Sequence, residues 1–163
     1  DSALLKGKNL IAATAYGQGE VQATALQMAL VAATVAHGGE VPAPYLVASV
    51  TEPETGKPVW QFQPRNLQRA ISPQTNETLK QLMITSVVSG WAKAAAILGT
   101  TVGGKTGTAE TGRDTAHSWF IGFAGKDPNR PQYAIAVVVE DGGEGTRVAL
   151  PLARTVLVAA LNR

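Results

Sequence analysis

A chain of 163 residues with 45% hydrophobic and 16% charged residues has the composition of a folded domain, or of part of one, and excludes a disordered tail or low-complexity linker. The formal net charge is only +2, with no run of Lys or Arg, so the sequence supports neither nucleic-acid nor membrane-surface binding. The absence of cysteine excludes disulfides, a thiol nucleophile and thiolate metal sites, and two histidines at unrelated positions argue against zinc.

Taken in order, residues 1–19 read as a leading segment and a loop ending at Tyr16-Gly17-Gln18-Gly19. From Gln22 to His37 the chain is rich in Ala, Leu, Gln and Met and apolar around most of the cylinder, which predicts a buried helix closed by Gly38-Gly39, with Met28 as core filler. Pro42 and Pro44 bar a helix, and Tyr45–Val50 alternates as a strand answered by Val59–Phe62 across a turn-rich stretch. This is a predicted hairpin, with Trp60 as its packing anchor. Pro64–Ala70 reads as a connection. A helix opens at Ser72-Pro73, with serine as cap and proline at the first position, and carries a stripe of Leu79, Leu82, Met83 and Val87. Gly90 closes it, and 91–97 form a short turn in which Lys93 is a solvated lysine.

The stretch Val102-Gly103-Gly104-Lys105-Thr106-Gly107-Thr108-Ala109-Glu110 packs two hydroxyls, one amine and three glycines into nine residues. Repeated glycine weakens a strand and marks the close approach of a ligand or another backbone. If 105–110 are extended, Thr106, Thr108 and Glu110 share one face, Lys105 and Ala109 the other, and Gly107 leaves the second face open. Two hydroxyls can then hold a carboxylate while the bare backbone N–H groups receive a carbonyl oxygen and the ammonium sets the field. That is an anion and acyl site. Thr111–Ala116 is a polar loop. Ser118–Ala124 and Gln132–Glu140 are two further strands, and the three make an antiparallel meander. Ile135–Val139 is continuously apolar, as in a strand covered on both faces. Gly142–Gly145 breaks the chain, and a last helix from about Val148 places Leu150, Ala153, Leu157 and Leu161 on one face to cover the sheet. The predicted class is α+β.

Two motifs fit these letters. Gly99–Thr106 satisfies the phosphate-loop pattern G-x-x-x-x-G-K-[ST], and Tyr133–Asp141 resembles an apolar strand ending in acids for magnesium. A phosphate loop needs a helix opening at its Lys-Thr to supply N–H groups and dipole. Thr106, Gly107, Thr108, Thr111 and Gly112 are poor helix formers with no apolar repeat, so a P-loop nucleotide-binding protein is the weaker reading. Lys-Thr-Gly itself accompanies S-x-x-K and S-D-N in serine β-lactamases and penicillin-binding proteins.

The longer string GKTGTAE, followed by His117-Ser118-Trp119-Phe120-Ile121-Gly122-Phe123-Ala124, resembles the end of a class B penicillin-binding protein transpeptidase domain. Ala15-Tyr16-Gly17-Gln18-Gly19, Thr24-Ala25-Leu26-Gln27-Met28-Ala29 and His37-Gly38-Gly39 are similar to that family's GQG, TPLQMA and NGG series, in order. The resemblance runs from about Leu10 to the C-terminus and is to the division and elongation type found in actinobacteria. Ala25 replaces the family's usual proline and His37 its asparagine. No serine here has lysine three residues later or asparagine two later; Ser2 with Lys6 and Ser89 with Lys93 are spaced by four. The resemblance therefore implies that residues 1–163 are the C-terminal part of a transpeptidase domain lacking the S-x-x-K and S-x-N motifs, with a partial β-lactamase/transpeptidase-like fold. The nucleophilic serine would lie on an N-terminal half and the membrane anchor upstream, on the outer face of the cell membrane.

The activity so implied is peptidoglycan D,D-transpeptidation on D-Ala-D-Ala stem peptides, with β-lactams as mimics, no cofactor and no metal, and division or elongation machinery as partners. By resemblance Lys105 holds the missing S-x-N serine and stabilises negative charge. Thr106 and Thr108 hold the terminal carboxylate, the N–H of Thr108 completes an oxyanion hole, and Gly107 lets the acyl chain lie along the strand. A β-lactam sensor acylated once without turnover is the alternative, and a serine β-lactamase a weaker one.

Overall fold

The computed structural model describes residues 8–19, 21–112 and 114–163. Residues 1–7 of the leading segment and Arg113 of the polar loop lie outside them. The rest of the leading segment, expected as a loop, begins with a helix, α1 (Lys8–Ala15), and left-handed glycines at Gly17 and Gly19 end it (φ 82° and 76°).

Helix α2 (Ala25–Ala36) starts three residues later than expected because Thr24 and Gln27 form a reciprocal capping box. Thr24 Oγ1 accepts the Gln27 N–H at 3.1 Å, and Gln27 Oε1 accepts the Thr24 N–H at 2.8 Å. At its other end Gly38 is left-handed (φ 71°) and the Gly39 N–H returns to the Thr34 carbonyl at 2.9 Å, which closes the helix as the double glycine predicted. The helix is not buried all round. Ala32, Thr34 and Val35 point inward, while Leu26 and Val31 are 60% and 48% exposed, because α2 packs on the sheet by one side.

Four short strands form a side lobe. β1 (Glu40–Pro42) pairs antiparallel with β4 (Asn66–Arg69), and β2 (Ser49–Thr51) with β3 (Pro58–Gln61). The β2–β3 hairpin was expected, although its strands are shorter; the β1–β4 pair replaces an expected connection. Its strength is polar. Arg69 Nη2 bonds Glu40 Oε1 at 2.6 Å, Asn66 Nδ2 donates to the same carboxylate, and Arg69 Nη1 reaches the Gly38 carbonyl at 2.9 Å. Trp60 is half-exposed, and the ring contact of the lobe is instead between Tyr45 and Phe62, stacked with centroids 4.0 Å apart.

Helix α3 (Pro73–Val88) opens as the sequence predicts, with Ser72 Oγ accepting the Thr75 N–H at 3.1 Å and proline at the first position. Its inward line differs from the expected stripe. Asn76, Lys80 and Val87 are buried and Met83 half-buried, whereas Leu79 and Leu82 are 38% and 61% exposed. The reason is a tertiary bond: Asn76 Nδ2 donates to the Val35 carbonyl of α2 at 3.1 Å, which turns the face of α3 bearing Asn76 inward. A single 3-10 turn over Lys93–Ala95 follows, and Lys93 is exposed.

The remaining strands, β5 (Thr101–Ala109), β6 (His117–Gly125) and β7 (Tyr133–Val139), make the expected meander in the order β5-β6-β7. Gly104 stands opposite Gly122 and Thr106 opposite Phe120, so by alternation the even positions of both strands share one face. Val102, Phe120 and Ala124 on that face pack with Val87, Ala92 and Ala95 and with Ala149, Leu150, Ala153 and Leu157 of α4 (Ala149–Leu161). The inward line of α4 is the one the sequence predicts, with Leu161 packed against its end. α2 meets β6 and β7, and α4 meets them as well, so β7 has the helix-covered faces its apolar run suggested.

The glycines of the meander are sites of close approach. A Cβ on Gly103 would lie 2.3 Å from the Phe123 ring and one on Gly104 2.4 Å from the Phe120 ring, while one on Gly122 would meet the Gly103 carbonyl oxygen at 2.6 Å. A backbone oxygen cannot rotate aside as a side chain can. Gly122→Ala is therefore expected to destabilise the fold by about 1–3 kcal/mol, read from the midpoint of urea unfolding; an unchanged midpoint would show that the two strands are not in this close register.

Candidate active site on the β5 edge

In an antiparallel ladder the N–H and C=O of one residue turn the same way. The carbonyl of Thr106 accepts from Lys105 Nζ at 2.5 Å and that of Thr108 from Gln18 Nε2 at 3.0 Å. Both contacts come from side chains, so the even-numbered backbone groups face away from β6. Among the described residues no strand pairs with this edge of β5. Toward its start the edge is closed, with Gly103 and Gly104 buried and α3 alongside; from Lys105 onward it is half-buried or exposed. The N–H of Thr108 thus lies on an open edge.

The structure brings the four candidate residues together there. Thr106 and Thr108 lie on the even face with Phe120 and Ser118, and Lys105 on the other face with Ile121. The lysine curls back so that its ammonium reaches the edge beside Thr106. Gly107 puts no side chain on its own face, where an added Cβ would crowd the Trp119 side chain at 3.1 Å. Glu110, expected in the strand with the threonines, falls beyond its end at Ala109 and lines a cavity of about 580 Å³ with Tyr16, Gln18 and Thr111.

The Thr108 hydroxyl is oriented from behind. Gly145 N–H donates to Thr108 Oγ1 at 3.4 Å, which leaves the hydroxyl proton free to donate, because a hydroxyl has one donor and two acceptor sites. The loop before α4 is fixed by Ser118, fully buried, whose Oγ donates to the Glu144 carbonyl at 3.1 Å and accepts the Ala149 N–H at 3.0 Å. Beside it His117 Nδ1 accepts the Asp141 N–H at 3.0 Å, holding the start of β6 to the turn after β7. An ammonium, an outward N–H and hydroxyl donors on one edge can bind a carboxylate and polarise a carbonyl. They cannot form a phosphate loop, since Lys105 and Thr106 lie in mid-strand with no helix opening at them. Among the described residues no three His, Cys, Asp or Glu side chains converge as metal ligands.

Sequence reading missed Gln18, Ser118 and Gly145. Gln18 contacts Thr108 across ninety positions, which no local pattern reveals. Ser118 and Gly145 had signals, a small polar residue inside an apolar strand and a glycine just before a helix, but not their partners.

Comparison with known proteins settles the family. The model of the penicillin binding protein transpeptidase domain matches residues 3–158. The chain belongs to that family. It is 39% identical to the peptidoglycan D,D-transpeptidase PbpA of Mycolicibacterium smegmatis over 91% of its own length and 31% of the relative's. It is 33% identical to the stage V sporulation protein D of Bacillus subtilis, over 83% of this chain and 21% of that protein. An imipenem acyl-enzyme complex of penicillin-binding protein A from Mycobacterium tuberculosis superposes with a TM-score of 0.82 at 36% identity, covering 96% of this chain and 35% of that one. The chain thus spans about a third of the length of the PbpA relatives it matches, and its α+β meander with covering helices is part of the penicillin-binding transpeptidase fold.

The seat of the loop before α4 on this strand pair is narrow. A Cβ on Gly145 would lie 2.4 Å from the Gly107 oxygen and 2.5 Å from that of Trp119. Gly145→Ala is expected to cost about 1–3 kcal/mol and to raise exchange of the amide at position 145, whose N–H bonds Thr108 Oγ1, as the loop lifts. Unchanged stability and exchange would show that the loop does not hold the threonine.

Proposed function

We infer that this chain supplies the Lys-Thr-Gly strand of a serine D,D-transpeptidase that cross-links peptidoglycan. The observation that carries the reading is the open stretch of β5, where the N–H of Thr108, the Lys105 ammonium and two threonine hydroxyls meet at one unpaired edge. Family membership supports it, as do the names of the relatives, and β-lactam acyl-enzyme complexes are known for the tuberculosis protein.

In this mechanism a serine on another part of the protein, which would carry the S-x-x-K and S-x-N motifs that residues 1–163 lack, attacks the carbonyl of the penultimate D-alanine. The terminal D-alanine leaves, and an amine of a neighbouring stem peptide takes the acyl group from the serine. Thr106 and Thr108 hydroxyls hold the terminal carboxylate, and Lys105 positions the S-x-N serine and stabilises negative charge. The Thr108 N–H receives the oxyanion, a contact worth about 2.7–4 kcal/mol. Gly107 lets the stem peptide lie along β5 as an added strand. The reaction would take place on the outer face of the cell membrane, with division or elongation proteins as partners and β-lactams as inhibitors. Labelling of the full-length protein with a fluorescent penicillin tests the assignment, and no label on any serine would remove it.

Two predictions follow from this division of labour. Residues 1–163 alone should gain no mass on exposure to penicillin, and a stoichiometric adduct on Ser2, Ser89 or Ser118 would contradict the reading. In the full-length enzyme, Thr106→Val or Thr108→Val removes a hydrogen bond to a charged group, worth about 1.5–3 kcal/mol. Acylation by penicillin should slow about ten- to a hundredfold, while a ligand without the carboxylate loses little. Equal losses for both ligands would show that the threonines only support the strand.

A further inference from the structure

The loop Tyr16-Gly17-Gln18-Gly19 has no role in the mechanism above, yet Gln18 touches its central residue. Gln18 Nε2 donates to the Thr108 carbonyl at 3.0 Å. Gly17 and Gly19 on either side are left-handed, with φ of 82° and 76°, a conformation that side-chain-bearing residues rarely adopt. The loop is thus bent twice around one glutamine that reaches a strand ninety residues away.

A hydrogen-bonded pair in an antiparallel ladder exchanges both of its bonds. A peptide laid along the β5 edge with its scissile carbonyl on the Thr108 N–H therefore turns the N–H of that same residue toward the Thr108 oxygen. Gln18 Nε2 is already bonded to that oxygen. Its primary amide stands where the substrate's secondary amide would, and the cavity of about 580 Å³ beside it, lined by Ala13, Tyr16, Glu110 and Thr111, gives the side chain room to withdraw.

We propose that Gln18 is a specificity-determining residue that occupies the acyl donor's amide position on β5 and yields it to donors bearing an N–H on the reacting residue. The proposal rests on the transpeptidase reading of the site. A donor with that N–H replaces a bond the free enzyme already has, so it gains little from it, and a donor without one leaves Gln18 in place. Gln18 therefore narrows the gap between the two kinds of donor. Removing its N–H donors should widen the gap.

The test uses the full-length enzyme with Gln18→Met, similar in length with no donor, and Gln18→Glu, whose carboxylate cannot donate to a carbonyl. Second-order acylation rates are measured with penicillin G, which carries an acylamino N–H beside the reacting carbonyl, and with imipenem, which carries none. In both variants the ratio of the penicillin G rate to the imipenem rate should rise about two- to tenfold, the span of one net hydrogen bond, with the imipenem rate unchanged. An unchanged ratio overturns the proposal. So does an equal fall in both rates at an unchanged melting temperature, which would make Gln18 a support for the strand, and so does failure of both variants to fold. If the wild-type enzyme is acylated by neither compound, the transpeptidase reading itself fails and this inference with it.

Discussion

Pairing β5 with β6 uses one side of the strand and leaves the N–H and C=O groups of Thr106 and Thr108 turned outward. Such a row recruits any strand that can align with it, and proteins blunt exposed edges with charge, cover or shortness. Here α3 lies along the early part of the strand, where Gly103 and Gly104 are buried, and the Lys105 ammonium stands at the start of the open part. The groups to which the proposed function gives an anionic peptide end also discourage an arbitrary strand, because a neutral partner would have to displace a charge from the edge. Recognition and protection are the same chemistry.

The backbone of that edge is held from both faces. Phe120 and Phe123 lie where side chains of Gly104 and Gly103 would be, so β5 is clamped between rings that its own sequence leaves room for. Farther along, Gly145 sits against the β5–β6 backbone at Gly107 and Trp119, and Ser118 bridges the loop before α4 to the start of that helix. In the proposed mechanism the Thr108 N–H meets a developing oxyanion, and it would gain from such fixation, since its orientation costs no reorganisation when charge appears. The hydroxyl of Thr108 is treated alike, its acceptor side engaged by Gly145 and its donor left outward.

Much of this was legible because it was periodic or punctuated. The inward line of α4 is a run at positions 150, 153, 157 and 161; the cap of α3 is Ser-Pro; the meander is a glycine-rich motif strand and two apolar runs between turn residues. What escaped depends on partners distant in sequence. β1 and β4 carry no alternating apolar pattern, and their register comes from Glu40, Asn66 and Arg69. Leu79 and Leu82 looked like the inner face of α3 until Asn76 bonded the Val35 carbonyl and rotated the line. The start of α2 was readable in Thr24 and Gln27, one capping spacing apart, but the apolar composition before and after it drew the boundary too early. For the site, the motif letters gave Lys105, Thr106, Gly107 and Thr108 and the face that each takes, but not which edge was open, nor that Gln18 would reach it.

Helix α2 packs on β7, a strand that begins about a hundred residues later in the chain. At synthesis rates of about 5–20 residues per second, its inner line of Ala32 and Val35 is made about 5–20 s before the surface that covers it exists. During that interval the capping box, the glycine stop and then contacts with β1 and α3 keep the helix, which at its length is marginal alone in water. The burial of α2 is thus completed only by elements made far later in the chain, when β6 and β7 are in place.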